Sequence, residues 1–224
     1  MMIVCANSKG GVGKSTIAAH LAVWLYDHGF QTALLDADKQ RSSSEWITEA
    51  EPKITVRVAV TPEECLLNAQ ELRQSHDFLI GDAPGGLEDL SRTLLILADL
   101  AIFPISPSIL DVRSVSGATT VLRYAQGING GKPEGRLVLN KIKTRDTISQ
   151  ELRVGAPQLG LPVAKRVIRD LQAYRDAAQQ GTVVGRSGRK GAQAAAELDE
   201  LFREILGEII AAKQQAGRQR VENG

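Results

Sequence analysis

Two lysines, three glycines and a hydroxyl pair fall within eight residues of this chain, Lys9-Gly10-Gly11-Val12-Gly13-Lys14-Ser15-Thr16. Glycines at 10, 11 and 13 let a backbone curl without Cβ clashes, so that successive N–H groups point at one anion. An ammonium at Lys14 would reach the β- and γ-phosphates of a nucleotide, and the Ser15 hydroxyl would ligate Mg²⁺. Three carboxylates join them. Asp36 and Asp38 follow the apolar run Thr32-Ala-Leu-Leu, and Asp82 closes Phe78-Leu-Ile-Gly. Hydrolysis of a γ-phosphate needs a phosphate cradle, a metal and a positioned water, and acids at strand ends are suited to the last two.

These residues act together only if the fold brings them to one edge. Met2 to Ala6 reads as a buried strand. Ser15 to His28 carries Ile17, Leu21, Val23, Trp24 and Leu25, mostly at helical spacing, and stops at Gly29, a suitable C-cap. A strand, a glycine loop and a helix opening on Lys-Ser-Thr also place the positive end of the helix dipole at the loop. Further strands are expected at 32–36, 54–60, 78–82, 99–105 and 136–140, with a weak last one at 162–168. Helices are expected at 41–51, after the Thr61-Pro62 cap, and at 87–97, 114–125, 148–159, 170–180 and 192–212. The glycine- and arginine-rich stretch 181–191 is expected to be a flexible basic loop. This alternation predicts an α/β fold, a parallel doubly wound sheet flanked by helices, with its site at the carboxyl ends of the strands. We expect one domain over 1–212 and a polar, frayed tail over 213–224.

Composition narrows the partners. Lys and Arg total 27 against 26 Asp and Glu, so nucleic-acid contact would need a local basic patch. Two cysteines are too few for a disulfide framework or a four-cysteine metal site. No apolar run approaches the ~18 residues of a membrane span, and the glycine loop begins eight residues in, so a cytoplasmic protein is expected.

The strict pattern G-x-x-x-x-G-K-[ST] fails here because Ser8 takes its first glycine position, and a second lysine, Lys9, stands before Gly10. Lys-Gly-Gly-Val-Gly-Lys-Ser resembles the deviant Walker A box of ParA/MinD-type P-loop ATPases. Asp36-Ala-Asp38-Lys-Gln is similar to that family's Asp-x-Asp-Pro-Gln switch I, with Lys39 replacing proline. Asp82-Ala-Pro-Gly-Gly resembles switch II, and Pro104 to Asp111 resembles its Pro-x-x-Pro-Ser-x-x-Asp segment near a dimer interface.

The resemblance implies ATP and Mg²⁺ as cofactors, with Lys9, Lys14, Asp38 and Asp82 as catalytic residues. It also implies that Lys9 to Thr16 hold the nucleotide and that Ser15, Asp36 and Asp82 serve the metal. Asn140, ending the strand Arg136-Leu-Val-Leu, is the expected reader of the adenine edge. By the same resemblance Lys9 crosses the interface of an ATP-dependent sandwich homodimer.

Small ParF-like partition ATPases are the nearest kind. Such a protein binds DNA non-specifically, is nucleoid-associated, and segregates plasmid or chromosomal DNA with a centromere-binding partner that stimulates hydrolysis. Arg186, Arg189 and Lys190, with Arg166 and Arg169, are the expected DNA-binding residues. Acids along the last helix disfavour an anionic membrane surface. Two alternatives stay open. The same engine could position another cargo, such as a carboxysome, a protein cluster or a conjugation-related complex. The other is a metabolic P-loop ligase or kinase such as a dethiobiotin-synthetase-like enzyme.

Overall fold

The computed structural model describes residues 1–86, 89–107, 109–143 and 147–222, with the side chains at 109–116, 118, 158, 159 and 216–222 outside the described set. Leu87 of the expected 87–97 helix, and Ser108 and the Asp111 side chain of the interface-like segment, therefore lie outside the described residues.

Apolar runs become strands: β1 (Met2–Cys5), β2 (Thr32–Asp36), β3 (Thr55–Val58), β4 (Phe78–Asp82), β5 (Leu100–Ile105) and β6 (Glu134–Leu139). They form one six-stranded sheet in the order β3-β2-β4-β1-β5-β6, parallel throughout. Helices intervene: α1 (Lys14–Asp27), α2 (Ser42–Ala50), α3 (Pro62–Ser75), α4 (Asp89–Leu97), α5 (Ile109–Ile128), α6 (Thr147–Gly155), α7 (Gln172–Gln179) and α8 (Gly188–Glu222). One sheet face packs on α3, α4, α5 and α6 through Leu79, Leu94, Phe103 and Leu122. The other packs on α1, α2, α7 and α8 through Ile3, Leu21, Phe78 and Phe202. β1, β2 and β4 are buried residue by residue, as strands covered on both faces must be.

Two helix ends follow directly from local chemistry. Past α1, Gly29 takes φ +85; its N–H reaches Tyr26 O, and the Phe30 N–H reaches Leu25 O, a Schellman closure. At α3 the Thr61 hydroxyl accepts the Glu64 N–H at 3.1 Å, and the Glu64 carboxylate takes the Val60 N–H at 2.7 Å, with Pro62 in the first turn.

Three expectations change. Residues 162–168 form no strand, only isolated bridges Leu137↔Val163 and Ile142↔Arg169. The glycine-rich stretch 181–191 is ordered by a short 3₁₀ turn, Val184–Arg186, and by the start of α8 at Gly188. Gly191 backs so closely onto the Val184 carbonyl that a Cβ there would collide with it. α8 also continues to Glu222, through the segment expected as a frayed tail. Its stripe Leu198, Leu201, Phe202, Leu206 and Ile210 lies buried against the sheet, as its periodicity implied. Among the described residues no helix is long and apolar enough to cross a membrane.

Candidate functional site

β1 has β4 on one side and β5 on the other, so the chain reverses direction across the sheet there and opens a crevice at the strands' carboxyl ends. The glycine loop spans that crevice between β1 and α1. Gly11 and Gly13 hold φ +76 and +99, which only glycine adopts without strain. Gly10 and Gly11 are exposed and Val12 is buried beneath them. The Asn7 side chain anchors the loop's entry, donating to Pro104 O at 2.8 Å and accepting the Lys9 N–H at 3.0 Å.

Lys14 sits almost wholly buried at the foot of α1, its ammonium donating to Lys9 O at 3.1 Å. Burial lowers its pKa, and Asp82 and Asp38 work against that. A cation kept dry beside exposed N–H groups is prepared for an anion. Lys9 is half-buried at the loop's outer edge.

The loop is also braced from outside. Asn140 just past β6 donates its amide N–H to Val12 O at 2.7 Å and accepts the Lys141 N–H at 2.9 Å. Lys141, at φ +56, extends its ammonium to Gly11 O at 2.6 Å. A Cβ on Gly13 would run into the Asn140 amide. The side chain expected to meet a base edge thus also props the loop, with its amide turned to the loop's backbone.

Asp36 and Asp82 stand opposite each other in register on β2 and β4, and both are fully buried. Their surroundings differ sharply. Asp36 accepts the Asp38 N–H and the Ser44 N–H, each at 2.9 Å. It thus caps α2 from a distance, at a helix start where Arg41 (φ 53) offers no side-chain cap. Each Asp36 oxygen, expected to serve the metal, here holds one backbone N–H. Both Asp82 oxygens lack a hydrogen-bond partner. The Ser15 and Ser43 hydroxyls face the carboxylate closely enough to favour its charged form but complete no hydrogen bond to it. Burial, reinforced by Asp36, pushes its pKa up to about 7. Burial, with Asp82 next, likewise raises the Cys5 thiol, which is paired in register with Asp82.

An orphaned buried carboxylate beside a hydroxyl is a suitable donor set for a hard divalent cation. Mg²⁺ is usually held by one or two carboxylates plus substrate phosphates rather than by a protein cage. Among the described residues no group of three His, Cys, Asp or Glu side chains is gathered for a metal.

Asp38 is half-exposed, its carboxylate accepting the Gln40 N–H at 2.9 Å. It lines a cavity of about 770 Å³ with Gly10, Gly11, Gly13, Lys14, Ser15 and Thr16. Lys14 and Gly85 of the switch II-like segment close the far side, a Cβ on Gly85 lying within 4.0 Å of the Lys14 ammonium. Next to it, Thr16, Asn140, Lys141, Leu171 and Tyr174 line a second cavity of about 210 Å³. Trp46 on α2 borders both and donates to Thr182 O at 2.7 Å. The two cavities together suit a triphosphate and an attached ring, and Trp46 lies within the helix expected at 41–51 with no motif marking it.

Residues 3–184 match the model of the CobQ/CobB/MinD/ParA nucleotide-binding domain. The chain belongs to this family. Within it, the maintenance of carboxysome distribution protein A of Halothiobacillus neapolitanus is 28% identical over 208 residues, covering 91% of this chain and 95% of that protein. Protein virC1 of Rhizobium rhizogenes is 30% identical over 178 residues, 74% of this chain and 77% of that one. Solved structures share the fold. The Cyanothece McdA–ATP complex superposes with TM-score 0.74 at 15% identity, covering 91% of this chain and 95% of its own. Pyrococcus horikoshii MinD with Mg-ADP gives 0.73 at 21%, covering 92% and 97%. The parallel sheet and the glycine loop are thus those of a ParA/MinD-type P-loop ATPase.

The basic surface expected of this ParA/MinD-family chain is largely neutralised within the molecule. Arg166 pairs with Glu200 at 2.9 Å, and Arg169 with Glu197. Arg186 binds Asp27 at 2.5 Å and Glu51 at 3.0 Å, and also donates to Ala50 O at 2.9 Å. That last arginine bolts the ends of α1 and α2 together. Glu204 takes the Lys165 and Arg166 N–H groups, at 2.7 and 2.9 Å. Of the five expected DNA contacts, Arg189 and Lys190 at the start of α8 stay exposed, with no acid paired to them among the described residues.

Proposed function

We propose that the protein is a Mg²⁺-dependent ATPase that works as a nucleotide switch in positioning a cargo. The observation that carries this is the unpartnered Asp82 carboxylate buried beneath the glycine loop, beside Ser15 and close to Lys14. In this reading the loop N–H groups and Lys14 bind the phosphates. Ser15 and Asp82 hold Mg²⁺, which when bound offsets charge on the γ-phosphate. Asp38, in the larger cavity, orients the attacking water, and the smaller cavity receives the base. Lys9, at the loop's outer edge, reaches a second copy, so ATP joins two protomers and hydrolysis, stimulated by a partner protein, parts them.

The cargo reading follows from the relatives. Similarity along nearly its whole length to a protein named for carboxysome distribution supports a large protein assembly as cargo. A plasmid or chromosome is the second reading. It is supported by the chain's similarity to a protein named ParA from Rhizobium radiobacter, with Arg189 and Lys190 as its DNA contacts.

Light scattering with and without Mg-ATP tests the switch. The wild type should shift from one protomer to two with ATP and return on hydrolysis. Lys9→Ala should bind ATP yet stay single. A Lys9→Ala protein that pairs as the wild type does would overturn the role of Lys9, and a wild type indifferent to ATP would overturn the switch.

A further inference from the structure

Three buried side-chain polar atoms lack a hydrogen-bond partner among the described residues, and all three meet at one point: both oxygens of Asp82 and the hydroxyl of Ser43. Leaving a buried polar atom unmet costs on the order of 1–3 kcal/mol, so three in one place mark a spot completed by something else. Asp82 belongs to the strand-end carboxylates already discussed. Ser43 belongs to none of the motifs. It lies in the first turn of α2, wholly buried, and is followed by Ser44, whose N–H is fixed by Asp36 at 2.9 Å. Ser43 itself is wholly buried, with its hydroxyl facing the Asp82 carboxylate at the end of β4.

We propose that Ser43 is a positioning residue for the divalent cation, its hydroxyl orienting the Asp82 carboxylate once the cation is bound. The inference rests on the Mg-nucleotide reading of the site. Its consequence is directional. Without a cation the hydroxyl is an unmet polar atom and slightly harmful; with one it is satisfied and helpful. It also ties α2, which carries Trp46 between the two cavities, to the occupancy of the metal site.

The test is Ser43→Ala in the full chain. Nucleotide binding is measured first in EDTA with a fluorescent ATP analogue, then Mg²⁺ is titrated into the complex, and thermal unfolding is followed in both states. Outer-shell partners of a metal typically contribute 10–100-fold to its affinity. Ser43→Ala should therefore weaken Mg²⁺ binding by about 10-fold, leave EDTA binding of nucleotide unchanged, and unfold no earlier than wild type without Mg²⁺. Ser43→Thr, which keeps the hydroxyl, should recover the Mg²⁺ affinity. Superimposable Mg²⁺ titrations for wild type and Ser43→Ala would overturn the inference. A wild type that binds no nucleotide in either state would instead overturn the reading of the cradle.

Discussion

Replacing Asp82 with Asn should stabilise the metal-free protein, and by an amount that depends on pH. In the folded chain burial holds the Asp82 pKa at about 7, against the ordinary aspartate value of 3.8. Between those values the native state keeps a proton that the unfolded chain has released. Stability therefore falls as pH rises through that window and stays low above it. Three pKa units at about 1.4 kcal/mol each set a ceiling near 4 kcal/mol; local relaxation and water entry trim this, and we expect about 2–4 kcal/mol at pH 8. Asparagine fills the same space without charge, so Asp82→Asn should match wild type at pH 4 and exceed it increasingly toward pH 8. Urea unfolding in EDTA across that range reads the difference as a shift in midpoint at constant slope. Adding Mg-ATP should reverse the ranking, since only the carboxylate gains from the cation. An Asp82→Asn protein that is less stable than wild type at pH 8 without metal, or an advantage that does not change from pH 5 to 8, would refute the claim that an uncompensated charge is buried there.

Two further outcomes follow from other buried or exposed charges. His20 accepts the Val184 N–H on one ring nitrogen while the other meets Thr16 O, and burial depresses its pKa to about 4. Its stabilising contribution is therefore present above pH 6.5 and lost as pH falls toward 4, opposite in sign to that of Asp82. Adding His20→Gln to Asp82→Asn should flatten the acid-side loss of stability, and urea midpoints at pH 4.5 and 7 that keep the same spacing would contradict it. In the DNA-cargo reading, Arg189 and Lys190 would give about four phosphate contacts in a paired molecule. Log affinity for DNA against log salt should then have a slope near roughly −3.6. Removing both should abolish most of that slope, whereas Arg186→Ala should lower the melting temperature and leave it intact; equal loss of DNA affinity in the two variants would refute this division of the arginines.

The sheet was readable from the chain because its strands are short apolar runs, two of them ending in Asp at the level of the glycine loop. The α1 end was readable because Gly29 is the residue a Schellman closure requires. What escaped depends on pairs distant in sequence. The acids of α8 looked like a solvated face and the arginines of 166–169 like a nucleic-acid patch, yet Glu197, Glu200 and Glu204 meet those residues across more than 25 positions of chain. Asn140 suits a base edge by its type, but its bracing of Val12 O, with Gly13 packed against its amide, has no mark in the sequence. The stretch 181–191 has a loop's composition, and its order comes from Val183 and Val184, which pack into the core. Ser43 and Trp46 carry no motif; only the fold of α2 reveals them.

The capping of α2 by Asp36 alters how substitutions in this region should be interpreted. An Asp36 variant releases the Ser44 N–H and with it the helix that presents Ser43 to Asp82 and Trp46 to both cavities. Its turnover would collapse whether or not Asp36 ever approached a cation, and the measurement would look like that of a lost ligand. Helix content and the environment of Trp46 in such a variant distinguish a detached support from a missing charge.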